Sequence, residues 1–430
     1  MKIINLINLL DLNKIKGMIN TMNASIYETI SSCRICGSED LNEFLNLGSQ
    51  PPANSLTKKD DPEIQRVPLR LLFCNNCKVV QIGESVDPKF LFSKYVWVTG
   101  TSKGAHKHSK FFFESINKRN RGFKSTVLEI ASNDGTFLKE FQNQGYEVIG
   151  VDPAINIAEI ATSNGIPTIA QFFDEKFALG LKNKNKFFNI IYARNVIPHV
   201  KNIHSVISGI NILLATDGLG AIEFHDASLI LNELHYDSIY HEHIFYFSIK
   251  TLSYILSRYG LEVFDLAKSP ISGGSWIIYF AKEKRNKSKF LIKAISEENQ
   301  LRVNTIQKWN KFALKTISHA EDLKFKIKNF KGKIIGYGAS ARSSTLLNYC
   351  NINNSQISYI VDNNKLKHNL LTPGTNIKIV SKDLLIEDKD NINLIILLAW
   401  NFKEEILEDI RKIGYTGKII VPLPDKVQIL

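Results

Sequence analysis

This sequence of 430 residues has few cysteines, few methionines and no long apolar run. No uninterrupted hydrophobic stretch reaches the length of a bilayer-crossing helix, so a cytoplasmic chain without a membrane partner is expected. Dense basic blocks are missing too. Lys and Arg outnumber Asp and Glu by 54 to 42, a net charge of +12, but the lysines are spread along the whole chain. That spread disfavours a nucleic-acid partner and leaves phosphorylated small molecules as the fitting anions. The three methionines, Met1, Met18 and Met22, all lie in an opening segment with no small-residue cleavage site. Residues 1–30 therefore read as an extension whose true start is one of the three.

Four of the five cysteines form two C-x2-C pairs, Cys33 with Cys36 and Cys74 with Cys77. Each pair offers two thiolates at the bite of a tetrahedral ion, and the segment between can fold back as one small lobe. A structural Zn2+ is expected, with iron as the alternative metal and redox or disulfide pairs as the alternative chemistry. Four thiolates leave no open position for catalysis. Cys350 is expected simply to pack in a core.

A chain this long exceeds one hydrophobic core, so several domains are expected. Residues 31–95 hold both cysteine pairs, with the turn-rich "NLGSQPPANS" and the strand-like "RVPLRLLFC" between them. A loop and basic helix lead into repeated strand and helix units from Thr126, the pattern of a parallel sheet covered by helices. The second domain is placed at 96–286. Residues 287–330 are Lys-rich, amphipathic and free of proline, and read as long helices. They lead into a second α/β unit with its own sheet, beginning at "GKIIGYGASARSS" and completing a region 287–430.

Two turns carry nucleotide chemistry. In "VLEIASNDGTFL", Glu129 precedes a turn through Ala131, Asn133 and Asp134 that Gly135 closes, and Asp152 with Pro153 ends the following strand. An acid at that place can accept both ribose hydroxyls of an adenosine, and the next helix presents free N–H groups. Ala131 stands where a dinucleotide motif would have its first glycine. The stretch instead resembles the S-adenosylmethionine turn of class I methyltransferases, supported by "IIYARNVIPHV" and "LLATDGLGAIEF" downstream. The second turn, Gly336-Tyr337-Gly338-Ala339-Ser340-Ala341, fits G-x-G-x-x-A, with Asp362 near the end of the next strand. NAD and a nucleotide diphosphate fit it equally.

The densest chemistry is "YHEHIFYFS", with Tyr240, His241, Glu242 and His243 in succession. A metal pair lacks a third ligand at recognisable spacing. A plain histidine cluster and a proton-transfer site remain. Burial beside a carboxylate is how a histidine becomes a base near neutral pH, and abstraction of a proton from carbon is the chemistry that suits it.

Taken with "CRICGS", "FCNNCKVVQ", "GVDPAINIAEIA", "GGSWIIYF", "YIVDNN" and "LAWN", these motifs resemble the three-domain C-methyltransferases that methylate a nucleotide-linked 4-keto deoxysugar. The resemblance runs from about Cys33 to the C-terminus. It implies a zinc lobe, a central class I methyltransferase Rossmann-like sheet binding S-adenosylmethionine, and a C-terminal Rossmann-like lobe. It also implies that His243 removes the proton α to the ketone and that Tyr240 and Glu242 polarise the keto oxygen and orient the base. Asn195 and His199 would line the same pocket, and His241 receives no role. Substrate phosphates would rest on the turn of Gly336, Gly338 and Ser340, which displaces NAD, with Tyr95 as a further substrate contact. Trp97 replaces a second aromatic hydroxyl, so any phenol role there is lost. A monomer is expected. The rivals are an O- or N-methyltransferase on a phosphorylated or nucleotide-linked small molecule, and a zinc-containing nucleic-acid-binding protein with a degenerate methyltransferase core.

Overall fold

A computed structural model describes residues 26–92, 98–101, 103–121, 126–271 and 274–430. Tyr95 and Trp97 lie outside the described residues, as do Met1, Met18 and Met22 of the extension. The N-terminal strands are β1 (Tyr27–Thr29), β2 (Leu41–Gln50), β3 (Val67–Cys74), β4 (Val80–Ile82) and β5 (Glu84–Val86). The central ones are β6 (Thr126–Ile130), β7 (Glu147–Asp152), β8 (Thr168–Ala170), β9 (Phe188–Arg194), β10 (Leu214–His225), β11 (Phe245–Tyr246), β12 (Glu262–Ser269) and β13 (Ser275–Ala281). The C-terminal ones are β14 (Ile334–Tyr337), β15 (Ile360–Val361), β16 (Ile379–Val380), β17 (Leu394–Leu397), β18 (Lys418–Val421) and β19 (Gln428–Ile429).

Among the described residues the large central sheet runs β12-β13-β10-β9-β6-β7-β8, with β13 antiparallel to both neighbours. Strands β6, β9 and β10 are largely buried on both faces, as in a parallel sheet covered on both sides, so their burial does not alternate. The chain leaves β6 in one direction through β7 and β8 and returns on its other side through β9 and β10. A crevice therefore opens beyond the carboxyl ends of β6 and β9, where open sheets of this kind bind ligands. The C-terminal sheet, β16-β15-β14-β17-β18-β19, repeats the logic with its switch point between β14 and β17. The proline-free stretch forms two helices, Lys289–Gln300 and Ile306–Lys328.

The N-terminal lobe is not closed by itself. Its sheet runs β11-β4-β3-β2, so the edge strand comes from the central region, directly after the Tyr-His-Glu-His segment. One apolar core continues from Ile35, Leu71 and Phe73 through Ile222 and Phe224 to Leu346 and Ile396. Phe112, Phe137, Phe141, Tyr192 and Tyr279 fill the other face of the central sheet. Each fully buried ring of this kind contributes about 1.5–3 kcal/mol relative to exposure. No helix among the described residues is long and apolar enough to cross a membrane.

The central sheet leaves no space at Gly220, where an added Cβ would lie 2.0 Å from the Phe280 ring. Gly220→Ala should cost about 1–3 kcal/mol through overpacking between β10 and β13. Denaturant melts of the two proteins measure it, and equal midpoints would contradict this packing.

Candidate active site and cofactor-binding residues

The four thiols meet as the spacing predicts. Cys33 and Cys77 lie 3.6 Å apart, Cys36 and Cys74 3.5 Å apart, and all four Sγ atoms fall within 4.8 Å of one another. A tetrahedral ion at the usual Zn–S distance needs sulfurs about 3.8 Å apart, so the donor set fits zinc. Each knuckle closes by a main-chain bond to the carbonyl of its first cysteine, from Gly37 and from Lys78, both with positive φ. Gln81 Nε2 and the Ile35 N–H donate to Cys33 Sγ, which fixes and tempers the thiolate. The site is closed and structural.

At the carboxyl end of β6 the backbone is left-handed at alternate residues, Ala131 (φ 52°), Asn133 (φ 51°) and Gly135 (φ 78°). Non-glycine residues held there cost energy and cluster at ligand sites, so Ala131 keeps the conformation that a glycine would supply freely. Asp152, 6% exposed at the end of β7, accepts N–H bonds from Asn133 and Ala154 at 2.9 Å each. Its carboxylate retains lone pairs, and burial raises its pKa, as suits an acid held out of water. Pro153 follows it directly. The switch point, the left-handed turn and the adjoining acid together fit the nucleoside part of S-adenosylmethionine. Thr99 N–H and Gly100 N–H cover the turn by donating to Asn133 Oδ1 and Asp134 Oδ2, a contact invisible from the motif.

Glu129 lies beneath this turn. It is fully buried, accepts from Arg194 Nε and Nη2 at 2.9 Å and from the Tyr192 hydroxyl at 3.0 Å, and burial still lifts its pKa to about 7. Glu129 was expected as a cofactor contact; both of its oxygens are engaged from below, an arrangement that supports the turn.

The Tyr-His-Glu-His residues part company. His241 Nε2 reaches the carbonyls of Val67 and Pro68 at 3.2 and 3.3 Å, and Glu242 Oε1 accepts from Asn54 Nδ2 at 3.0 Å. Both are buried and both face the zinc lobe. Burial lowers the His241 pKa to about 4 and raises that of Glu242. Tyr240 and His243 face the crevice. The Tyr240 hydroxyl is 2.8 Å from His243 Nε2, and His243 Nδ1 is 2.7 Å from the Ser238 carbonyl. A carbonyl only accepts, so Nδ1 carries the proton and Nε2 holds the lone pair. Burial first, then the neighbouring His199, pushes the His243 pKa well below the ordinary histidine value, which leaves a neutral ring. Orientation of His243 thus falls to Ser238, where Glu242 was expected; the Glu242 side chain is turned to Asn54.

His199 packs edge-on to His243 with ring centroids 4.8 Å apart, and burial lowers its pKa to about 4. Asn195 sits at the end of β9 with φ 52° and donates its N–H to the Glu223 carbonyl. The Ile244 N–H donates to the Pro198 carbonyl, which ties the two loops together. Asn195, His199, Tyr240 and His243 therefore share one end of the central sheet.

The second turn departs from expectation. Gly336 lies inside β14 and donates to the Tyr359 carbonyl; Gly338 donates to Val361, Ala339 to Asp362 Oδ2 and Ser340 to Ser343 Oγ. An added Cβ at Gly338 would lie 2.3 Å from the Ala399 Cβ, and one at Gly336 2.7 Å from Leu398. These glycines let the chain after β17 approach. Gly336, Gly338 and Ser340 were expected as a phosphate cradle; their N–H groups already have protein acceptors.

A left-handed turn and an acid at the switch point of a seven-stranded sheet define an S-adenosylmethionine-dependent methyltransferase. Family models match in order: a zinc binding domain at residues 33–92, a methyltransferase domain at 104–266 and a C-methyltransferase C-terminal domain at 270–424. The chain thus carries these three domains in one order, the last of them the C-terminal domain of C-methyltransferases. It is 28% identical to C-methyltransferase NovU of Streptomyces niveus over 409 residues, 93% of this chain and 97% of that one. Among solved structures, the PH0226 protein of Pyrococcus horikoshii is 15% identical over 44% of this chain and 95% of its own, with a TM-score of 0.35. Magnesium protoporphyrin IX methyltransferase of Synechocystis with bound cofactor is 12% identical over 42% and 80%, with a TM-score of 0.32. S-adenosylmethionine is the cofactor and zinc the structural metal.

Because β11, His241 and Glu242 are all held by the zinc lobe, loss of the metal should reach the crevice. Cys74→Ser is expected to lower bound zinc and abolish methyl transfer, read by metal analysis and a transfer assay. A zinc-free variant with wild-type turnover would contradict the coupling.

Proposed function

We propose that this enzyme methylates carbon next to the ketone of a nucleotide-linked 4-keto deoxysugar, with His243 as the base. The observation that carries the reading is the neutral His243, its Nδ1 fixed by Ser238 and its Nε2 lone pair beside the Tyr240 hydroxyl. A proton α to a ketone is acidic enough for such a base when the resulting enolate oxygen meets placed donors. His243 Nε2 takes the proton, and the C–H electron pair becomes the enolate. Tyr240, already at Nε2, is placed to donate to the substrate oxygen, and Asn195 and His199 line the same wall. S-adenosylmethionine would supply an electrophilic methyl group on sulfur, with a neutral thioether as the leaving group. Asn133, Asp134, Gly135 and Asp152 would hold it, and positioning of the enolate carbon would be the chain's part in the transfer. The proton on His243 then returns to water.

The parts proposed for this task are the extension 1–30, the zinc lobe 31–95, the methyltransferase domain 96–286 and the C-terminal lobe 287–430. The protein would work as a monomer on a free nucleotide sugar. Methylation of oxygen or nitrogen would need no carbon base, and a neutral histidine would serve a hydroxyl nucleophile as well, so the two readings part at exchange of a carbon-bound proton. The decisive experiment is deuterium exchange from heavy water into a panel of nucleotide 4-keto deoxysugars. Wild type should exchange one carbon position, and His243→Ala should lose about 10²- to 10⁴-fold of that rate. A protein that binds the cofactor but exchanges no sugar proton would return heteroatom methylation to the front.

The acid limb of the reaction is fixed in sign. A base whose pKa is depressed stays unprotonated until the pH falls well below 6.5. The exchange rate should therefore be flat between about pH 6.5 and 8.5 and fall only on the acid side of that range. An ionisation of the essential base above 6.5 would contradict the buried, neutral His243.

A further inference from the structure

With the amides of Gly336, Gly338, Ala339 and Ser340 engaged, an anion at this lobe needs a side chain. One is present in the first turn of the helix Ala341–Tyr349. Arg342 has a side chain 12% exposed, and its Nε faces Asp237 Oδ2 at 3.6 Å. Its guanidinium carbon lies 4.9 Å from the centre of the Trp400 ring, and Trp400 Nε1 donates to the same Asp237 oxygen at 2.7 Å. Asp237 and Trp400 thus fix the guanidinium plane by one edge and one face. Its other edge is unused. Nη1 and Nη2 are shut off from solvent, and neither has a hydrogen-bond partner among the described residues.

A buried donor without a partner costs about 1–3 kcal/mol, and more when charged. A guanidinium kept in that state beside a cleft is a fork waiting for oxygen atoms, since planar bidentate recognition is what Arg does better than any other side chain. Asp237 directly precedes Ser238, whose carbonyl meets His243 Nδ1, so the guanidinium lies close to the proposed base.

We propose that Arg342 is an oxyanion ligand of the bound substrate, gripping it with Nη1 and Nη2 in the cleft beside His243. The oxygen has two sources, a phosphoryl group of the substrate's diphosphate or the enolate oxygen formed as His243 removes the proton. The second source rests on the proposed carbon methylation; the first does not.

Calorimetric titration of wild type, Arg342→Gln and Arg342→Lys with nucleoside diphosphates and inorganic pyrophosphate, paired with deuterium exchange at saturating keto sugar, separates them. If the phosphoryl group is held, Arg342→Gln should bind nucleoside diphosphate at least about tenfold more weakly, with exchange at saturation close to wild type. If the enolate oxygen is held, diphosphate affinity is unchanged and saturated exchange falls at least about tenfold. Wild-type values in both measurements overturn the proposal. Should Arg342→Gln fail to fold, Arg342→Lys carries the test, because it keeps charge and stem but loses the fork. A loss of at least about threefold in either readout supports the proposal, and wild-type values in both overturn it. Arg342-dependent diphosphate binding in a protein that exchanges no sugar proton would sink carbon methylation and keep this site. Exchange indifferent to Arg342, with unchanged diphosphate binding, would do the reverse, and a wild type that neither binds nor exchanges would remove both.

Discussion

The hydrogen bond from His243 Nδ1 to the Ser238 carbonyl decides which ring nitrogen is free to take a proton. Everything proposed for the crevice depends on that tautomer, and the bond depends on how the turn carrying Ser238 is held. From the C-terminal lobe, Trp400 donates to Asp237, Thr345 donates to the Ile239 carbonyl, and His319 lies 3.0 Å from the Tyr236 hydroxyl. From the N-terminal lobe, Asn54 and the β3 carbonyls hold Glu242 and His241, and β4 pairs with β11. His243, the proposed base, lies in the central part of the sequence, but its orientation is a property of all three lobes.

The electrostatics point the same way. His199, His241 and His243 are all driven toward the neutral form by burial. Beneath the turn after β6, buried polar groups are instead held in pairs: Glu129 with Arg194, and Glu223 with His108 at 2.8 Å. Such buried pairs contribute little net stability, but removing one partner is costly because the other is then stranded. Fixed groups at the carboxyl ends of β6, β9 and β10 hold the turn in place without relying on solvent.

Much of this was legible in the sequence. The two cysteine pairs announced their cluster because ligand spacing is a covalent constraint. The strand and helix alternation announced both sheets, and Asp152 ends the second strand of the central one as read. What could not be read was occupancy. The G-x-G-x-x-A pattern is satisfied by Gly336 and Gly338, yet the need for glycine comes from Leu398 and Ala399, far along the chain. Glu129 matched its motif but is held by Arg194 and Tyr192. Ser238 escaped notice because it acts through a carbonyl, a group every residue has, and Asn54 because its partner is distant in sequence. Ala131 departs from the glycine pattern, and the backbone adopts the glycine-like conformation regardless.

The edge strand β11 has a consequence for inheritance. Phe245 and Tyr246 complete a sheet that is otherwise encoded entirely upstream of residue 83, and residues 236–243 are gripped by side chains encoded as far downstream as Trp400. Recombination between relatives that exchanged a whole lobe at a linker would keep each lobe intact and still mismatch this segment against its new neighbours. The segment and its grips, Asn54, Thr345 and Trp400 among them, can therefore drift only together, so new substrate preferences in such enzymes should arise by local substitution sooner than by trading domains.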